Sequence, residues 1–377
     1  MTDSPATPDS APPSAVPGAV PGLDVAGLEA WLGEAHPRLA AGSLTARLIT
    51  GGKSNLTYRI DGARIPLVLR RPPLGHVLAT AHDMAREHRV ISALTGSAVP
   101  VPPTVAIVDD TADARVTGTP FFVMEFVDGS VLARPAQNGA FTSAGLHRIG
   151  IELAEVLAEL HSIDPASVGL DDFGRGAGYL ERQLRTWRRQ LDASRSRDTP
   201  ALDRLQDALG ERMPENPRSG LVHGDYRLDN AIVARSVIDD DSGIGADTGT
   251  GEPRIAAILD WEMSTIGDPL VDLGVFGMYW NIDELTGGRL FDSAVDLAAG
   301  YPDFDELVDA YAARVGRAVP DLGWYRGFAA YKLAVIAEGI HYRYQQGETV
   351  GAGFAHIGAM VEPLATDGLA RLALRRN

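Results

Sequence analysis

The chain contains no cysteine among its 377 residues. This excludes a disulfide framework, thiolate nucleophiles and cysteine-ligated metals. Aromatic residues make up only 7% of the chain, and no apolar run approaches the roughly 20 residues that a membrane-spanning helix needs. Positive charge is also short: 34 Lys and Arg face 50 Asp and Glu, a formal net charge of −16. A surface of that sign repels a phosphate backbone, so no nucleic-acid partner is expected. It would suit a cationic small molecule, although an acidic surface is equally ordinary for a soluble protein. The first residues include Asp3 and Asp9 and have neither a basic cluster nor an apolar core, unlike a secretory signal. A cytoplasmic protein without membrane contact, monomeric or homodimeric, is the expectation.

What is present suits two lobes rather than one core: the length, and a hydrophobic content of 45%. Residues 1–22 hold six prolines and no aromatic residue and read as a disordered tail. From about 44 to 70 the pattern is strand, glycine-containing turn, strand, turn, strand, with turns at Gly51-Gly52-Lys53-Ser54-Asn55 and Asp61-Gly62. A helix is expected over 82–94, and two further strands at Val105–Val108 and Phe121–Val127. Residues 23–128 therefore read as a small antiparallel β lobe with one helix. Residues 129–377 read as a larger, mostly helical lobe, in which Ile149, Leu153, Val156, Leu157 and Leu160 form an apolar stripe at helical spacing. Residues 179–209 and 303–345 also read as helical, with short strands near 220–233 and 254–260. The stretch 236–253 has five carboxylates, four glycines and no basic residue before Arg254. It reads as a solvated hairpin insertion, since the ligand spacing of a calcium loop is missing.

Chemistry concentrates in Leu221-Val222-His223-Gly224-Asp225-Tyr226-Arg227-Leu228-Asp229-Asn230, where Asn follows Asp by five positions. Phosphoryl transfer needs an anchored carboxylate beside the attacking hydroxyl and oxygen ligands for magnesium nearby. Thirty residues after Asn230, Ile258-Leu259-Asp260-Trp261-Glu262 is an apolar strand ending in a carboxylate. Gly267-Asp268-Pro269 then reads as a helix start, with Asp268 as cap and proline in the first turn.

These motifs, in this order and followed by Leu270-Val271-Asp272-Leu273-Gly274, resemble the aminoglycoside phosphotransferase (APH) family. The likeness is nearest to the branch that includes kinase domains fused to some acyl-CoA dehydrogenases, and it runs from about residue 25 to 350. It implies a two-lobed, protein-kinase-like α+β fold and transfer of the ATP γ-phosphate to a hydroxyl of a small molecule. Asp225 would be the catalytic base and Arg227 a contact to the transferring group. Asn230 and Asp260 would hold Mg2+. Each also has a plainer reading, as turn, cap or buried structural carboxylate. His223 is expected to prop the loop rather than take a proton, and Asp272 to brace it from within.

The small lobe would clamp ATP. Backbone N–H groups around Gly51, Gly52, Ser54 and Asn55 could cover phosphates, although a plain hairpin turn would read the same. Strand alternation puts Val68 and Arg70 on one face, where the family carries a basic residue, usually Lys; Arg71 is the competitor. Glu87 shares a helical face with Met84, Ile91 and Leu94, the expected place for a carboxylate that pairs with Arg70. Met124, Glu125, Phe126 and Val127 resemble the adenine-binding hinge, a segment that reads equally as an apolar core strand. The resemblance favours a hydroxy acid or hydroxyacyl-CoA over an aminoglycoside as acceptor, with Tyr279, Trp280, Asp303, Asp305, Glu338, His341 and Tyr342 as candidate liners. A catalytically inactive kinase-like nucleotide-binding module is the alternative.

Overall fold

Period-two alternation in the N-terminal part folds as an antiparallel sheet. The computed structural model describes residues 20–49, 55–74, 83–215, 218–235, 251–286, 293–347 and 354–373. Most of the proline-rich tail, Gly51, Gly52 and Ser54, and the insertion up to residue 250 lie outside the described residues. Contacts divide the chain into two units, 1–84 with 105–126 and 85–104 with 127–377.

The first unit contains α1 (Val25–Ala35), β1 (Thr45–Leu48), β2 (Leu56–Asp61), β3 (Leu67–Arg71), β4 (Thr104–Val108) and β5 (Phe121–Glu125). The strands lie in the order β1-β2-β3-β5-β4. Helix α1 was not expected from the sequence, because Gly27 and Gly33 weaken its propensity. Tertiary packing overrides that: Leu28 and Leu32 are buried with Tyr58, Ile60, Leu67, Leu69, Phe121 and Val123. Burial of each such side chain stabilises by about 1.5–3 kcal/mol. The Asp24 carboxylate caps the helix by accepting from Gly27 N at 3.0 Å.

Since Leu67, Leu69, Phe121 and Val123 face this core, alternation turns Val68, Arg70, Phe122 and Met124 to the other face. Register sets Val68 opposite Met124, and Arg70 opposite Phe122 on one side and Thr57 on the other. Between β4 and β5 the chain folds around Asp110, whose carboxylate accepts from the N–H groups of Arg115, Val116, Thr117 and Gly118 at 2.6–2.9 Å. Burial pushes this carboxyl up, but the four donors outweigh it and hold it below its ordinary value.

The expected 82–94 helix is α2 (Met84–Leu94), and all but its first residue belong to the second unit. Arg86 there lies 3.9 Å over the Phe173 ring and donates to the carbonyls of Phe173 (2.5 Å) and Ser264 (3.0 Å). Arg89 donates to Gly169 O at 2.8 Å and pairs with Asp172.

The rest of the unit runs β6 (Ser130–Val131), α3 (Ser143–Ser162), α4 (Tyr179–Ser194), α5 (Pro200–Glu211), β7 (Gly220–Val222), β8 (Ala231–Arg235), β9 (Pro253–Ile258), β10 (Thr265–Gly267), α6 (Leu270–Trp280), α7 (Ile282–Thr286), α8 (Phe304–Val315), α9 (Gly323–Gln345) and α10 (Val361–Ala373). Strand β7 pairs with β10, and β6-β8-β9 form a second small antiparallel sheet. The apolar stripe of α3 is buried as its spacing requires. Two long helical readings break in the middle. Thr199 precedes Pro200 and cannot stay helical, which separates α4 from α5. Gly316, at φ +67°, closes α8 before α9 begins. Helix α10, also unexpected, packs against α9 and α5. No helix among the described residues is long and apolar enough to cross a membrane.

Candidate active site

The segment 223–230 joins β7 to β8 and is anchored from α6. Asp272 Oδ2 accepts from His223 N at 2.7 Å and Oδ1 from Gly224 N at 2.8 Å, as expected of a brace from within. Oδ2 also accepts from His161 Nε2 at 3.1 Å, and His161 Nδ1 meets the Tyr311 hydroxyl at 2.9 Å. Asp272 is fully buried, yet His161, His223 and the Gly224 N–H outweigh desolvation and hold its carboxyl below its ordinary value. His161 had no sequence signal, being one polar residue at the end of an apolar helix.

His223 props the loop. Its Nδ1 accepts from Asp225 N at 3.2 Å and its Nε2 donates to Leu259 O at 2.9 Å. With both ring nitrogens held in hydrogen bonds, the ring is not free to serve as a base. Gly224 sits at φ +89°, and a Cβ there would lie 2.7 Å from Met263 O. Only glycine fits that turn.

Asp225 is partly exposed, between two partners. Asn230 Nδ2 donates to its main-chain oxygen at 2.9 Å and to its Oδ2 at 3.0 Å, and Arg227 Nε lies 3.3 Å from Oδ2. Arg227 also reaches Asp229 at 3.2 Å and stacks 4.8 Å over the Tyr279 ring. Burial alone would lower the Arg227 pKa; the charges of Asp225, Tyr279, Asp229 and Asp260 carry it above its ordinary value. Because Asn230 Nδ2 serves Asp225, its Oδ1 is the atom left for a cation.

Asp260 follows β9 and is one of two non-glycine residues at positive φ among the described residues, at φ 66° and ψ 59°. Such a backbone costs about 1–2 kcal/mol and needs surrounding support. Leu259 N donates to Asn230 O at 2.8 Å, which ties this turn to the loop carrying Asn230. Pro269, not Asp268, occupies the cap position of α6; Asp268 lies one residue earlier, where Oδ1 accepts from Leu270 N at 3.1 Å and Oδ2 from the Tyr325 hydroxyl at 2.7 Å.

Lys332, on α9, was missed by sequence reasoning. It is 8% exposed and its Nζ donates to Gly224 O at 2.7 Å. A lone charge in the apolar run from Phe328 to Ala337 is the same kind of signal that singled out Glu87.

In the first unit, the described clamp residues sit as the alternation implies. Val68 and Met124 are buried opposite each other, Arg70 is partly exposed on the same face, and Asn55 is buried. Arg71 points into the core face, with its guanidinium donating to the carbonyls of Pro72, Gly22 and Thr117. Three of its five N–H donors are thereby occupied, on the face opposite the one that Arg70 shares with Val68. In the main chain after β5, Phe126 N donates to Pro66 O at 3.0 Å, and Glu125 pairs with Leu67. Val127 and Glu87 belong to the second unit, where Glu87 is 1% exposed.

A pocket in the second unit opens beside Arg227. Its apolar wall includes Leu132, Phe276, Trp280, Ile282 and Val295; Arg227, Asp229 and Tyr279 supply the polar side. Of the candidate acceptor liners, Tyr279 and Trp280 border this pocket. Asp303 instead caps α8 in a reciprocal pair with Glu306, and Glu338 is fully buried against Arg197 and Ser196.

Residues 45–328 match the family model of the phosphotransferase enzyme family, APH. A solved Ralstonia eutropha protein, assigned provisionally to the aminoglycoside phosphotransferases, is 31% identical, with a TM-score of 0.75 over 93% of this chain and 98% of that one. Acyl-CoA dehydrogenase family member 11 from Homo sapiens is 33% identical over 92% of this chain but 43% of its own length; the Gallus gallus protein is 33% identical over 88% and 41%. The chain thus spans less than half the length of these curated relatives. Aminoglycoside phosphotransferase APH(4)-Ia, solved with AMP-PNP and hygromycin B, shares the fold at 14% identity and a TM-score of 0.58 over 92% of this chain and 99% of that one.

Proposed function

Since the chain belongs to the APH phosphotransferase family, we propose that it transfers the γ-phosphate of ATP to a hydroxyl group of a small molecule. The observation that carries this reading is the joint anchoring of Asp225, Asn230 and Asp260. One amide orients the Asp225 carboxylate, and the same asparagine's main chain holds the turn that presents Asp260.

The donor set fits magnesium. Asn230 Oδ1 and the Asp260 carboxylate are hard oxygen ligands, and Mg2+ typically takes one or two protein oxygens together with phosphates and water. When bound, the ion would neutralise charge on the phosphates. Among the described residues no cluster of three His, Cys, Asp or Glu competes for a metal. Asp225 would accept or orient the acceptor hydroxyl's proton, and Arg227 would face the transferring group. Arg70 would contact the α- and β-phosphates, with Glu87 as its orienting partner. Gly51, Gly52, Ser54 and Asn55 would cover the phosphates, and Val68 and Met124 would line the adenine. Main chain at Glu125, Phe126 and Val127 would bind its edge, with the Phe126 N–H already occupied. The nucleotide analogue bound to APH(4)-Ia supports ATP as donor.

For the acceptor, a hydroxy acid or its CoA thioester is favoured over an aminosugar. The pocket beside Arg227 has apolar walls, one cation and one carboxylate, whereas a polycationic aminosugar calls for several carboxylates. The relatives' acyl-CoA dehydrogenase names point the same way. The test is thermal and enzymatic. ATP with magnesium should raise the melting temperature by several degrees, and ATP in EDTA only weakly. Equal shifts would remove the metal assignment. ATP consumption across a panel of hydroxy acids, hydroxyacyl-CoAs and aminoglycosides would identify the acceptor; no consumption with any would favour an inactive nucleotide-binding module.

A further inference from the structure

Helix α9 carries one lysine, in its buried middle. Lys332 Nζ donates to Gly224 O at 2.7 Å, lies 3.9 Å from Met263 Sδ and stands 5.5 Å from the centroid of the Trp187 ring. Among the described residues no carboxylate is within ion-pair distance of it. A neutral amide would satisfy one carbonyl equally well, so the ammonium needs another reason to be there. Burial lowers its pKa, Asp225 and Asp272 oppose that, and Arg227 adds to it.

The bond matters because of where it falls. The Gly224–Asp225 peptide is gripped at both ends: its oxygen by Lys332 and its N–H by His223 Nδ1 at 3.2 Å. Gly224 has no Cβ to restrict it, so the plane of this peptide depends on outside contacts. That plane sets the direction in which Asp225 leaves the main chain. We propose that Lys332 is a positioning residue for phosphoryl transfer, holding the Gly224–Asp225 peptide so that the Asp225 carboxylate meets the acceptor hydroxyl. The proposal rests on the kinase reading above and adds to it a residue more than a hundred positions from the loop.

The experiment compares wild type, Lys332→Met and Lys332→Arg. Turnover of Mg-ATP should fall by about 10–100-fold in Lys332→Met, the scale of a misplaced reacting group. Calorimetric Kd for Mg-ATP should change by less than about threefold, and Lys332→Arg, which keeps a charged donor, should recover most of the turnover. Hydrogen exchange in peptides covering 221–228 should quicken in Lys332→Met alone, with α4 and α9 unchanged. Wild-type turnover and loop exchange in a folded Lys332→Met would overturn the proposal. So would loss of Mg-ATP binding together with activity, which marks general damage. If wild type consumes no ATP, the kinase reading fails, while loop exchange and its rescue by arginine still decide whether Lys332 holds the loop. Should Lys332→Met not fold, Lys332→Leu, which also removes the donor, is judged by the same criteria.

Discussion

Two loops in this molecule are each folded around one buried carboxylate, and they differ in where that carboxylate comes from. In the 110–118 loop, Asp110 gathers four N–H groups of its own segment. In the 223–230 loop, the N–H groups of His223 and Gly224 go to Asp272, 49 and 48 residues further along the chain. In the first case the acidic residue is used up in making the turn. In the second, a remote carboxylate does the structural task, and the loop's own acid, Asp225, is left partly exposed, as the proposed catalytic role requires. A loop that delegates its support keeps its own acid available, but it then depends on how α6 and α9 pack.

If this division of labour holds, replacing the three carboxylates should give three different signatures. The largest effect is expected from Asp225→Asn. Turnover should fall by roughly 10²–10⁴, the range for a positioned acid–base group, with Mg-ATP affinity and melting temperature close to wild type. Loss of ATP binding as well would make Asp225 a structural residue and erase its difference from Asp110.

Asp272→Asn should damage both properties. It removes one partner from a buried charged network that includes His161, a change that typically costs about 3–5 kcal/mol. Urea unfolding should show that loss, and turnover in the folded fraction should drop because the loop N–H groups lose their anchor. A stable variant with intact turnover would mean that Lys332 and His223 hold the loop unaided.

Asp110→Asn should lower stability by about 1–3 kcal/mol through poorly matched N–H donors and leave turnover per folded molecule unchanged. The pH dependence follows from the direction of its shift. The folded carboxyl lies below its ordinary value, so its stabilisation is complete above the unfolded pKa of about 3.9. It is lost only as pH falls through the lower, folded value. The stability gap between wild type and variant should therefore be flat from neutral pH to about 4 and close below that. A gap that closes already near pH 6, about two units above the unfolded value, would contradict the carboxyl being held down.

The reach of each interaction along the chain decides what could be read beforehand. The 223–230 motif was legible because its candidate groups lie within a few residues of each other, and the facing of Arg70 because strand alternation is a local rule. That Arg71 is turned into the core became visible only through contacts with Gly22 and Thr117, 49 and 46 residues away. Asp110 was silent because its partners are main-chain donors, which carry no side-chain signature. Helix α1 was hidden by its glycines, and its apolar face acquires meaning only against β2, β3 and β5. Lys332 lies 108 residues from Gly224, so a charge in a buried helix could be noticed but not given a partner.

The backbone at Asp260 carries a consequence for how such a site can change over generations. A left-handed conformation is tolerated readily by glycine and, among the others, best by asparagine and aspartate. Codons for asparagine and for glycine are each a single base from those for aspartate. Drift at this position therefore has two easy exits: asparagine retains an oxygen that could still face a cation, and glycine keeps the chain path while removing the proposed ligand. Every other replacement must absorb the strain of the turn, about 1–2 kcal/mol, before any question of catalysis arises. A lineage that abandons phosphoryl transfer but keeps the fold should thus carry glycine here more often than alanine or valine.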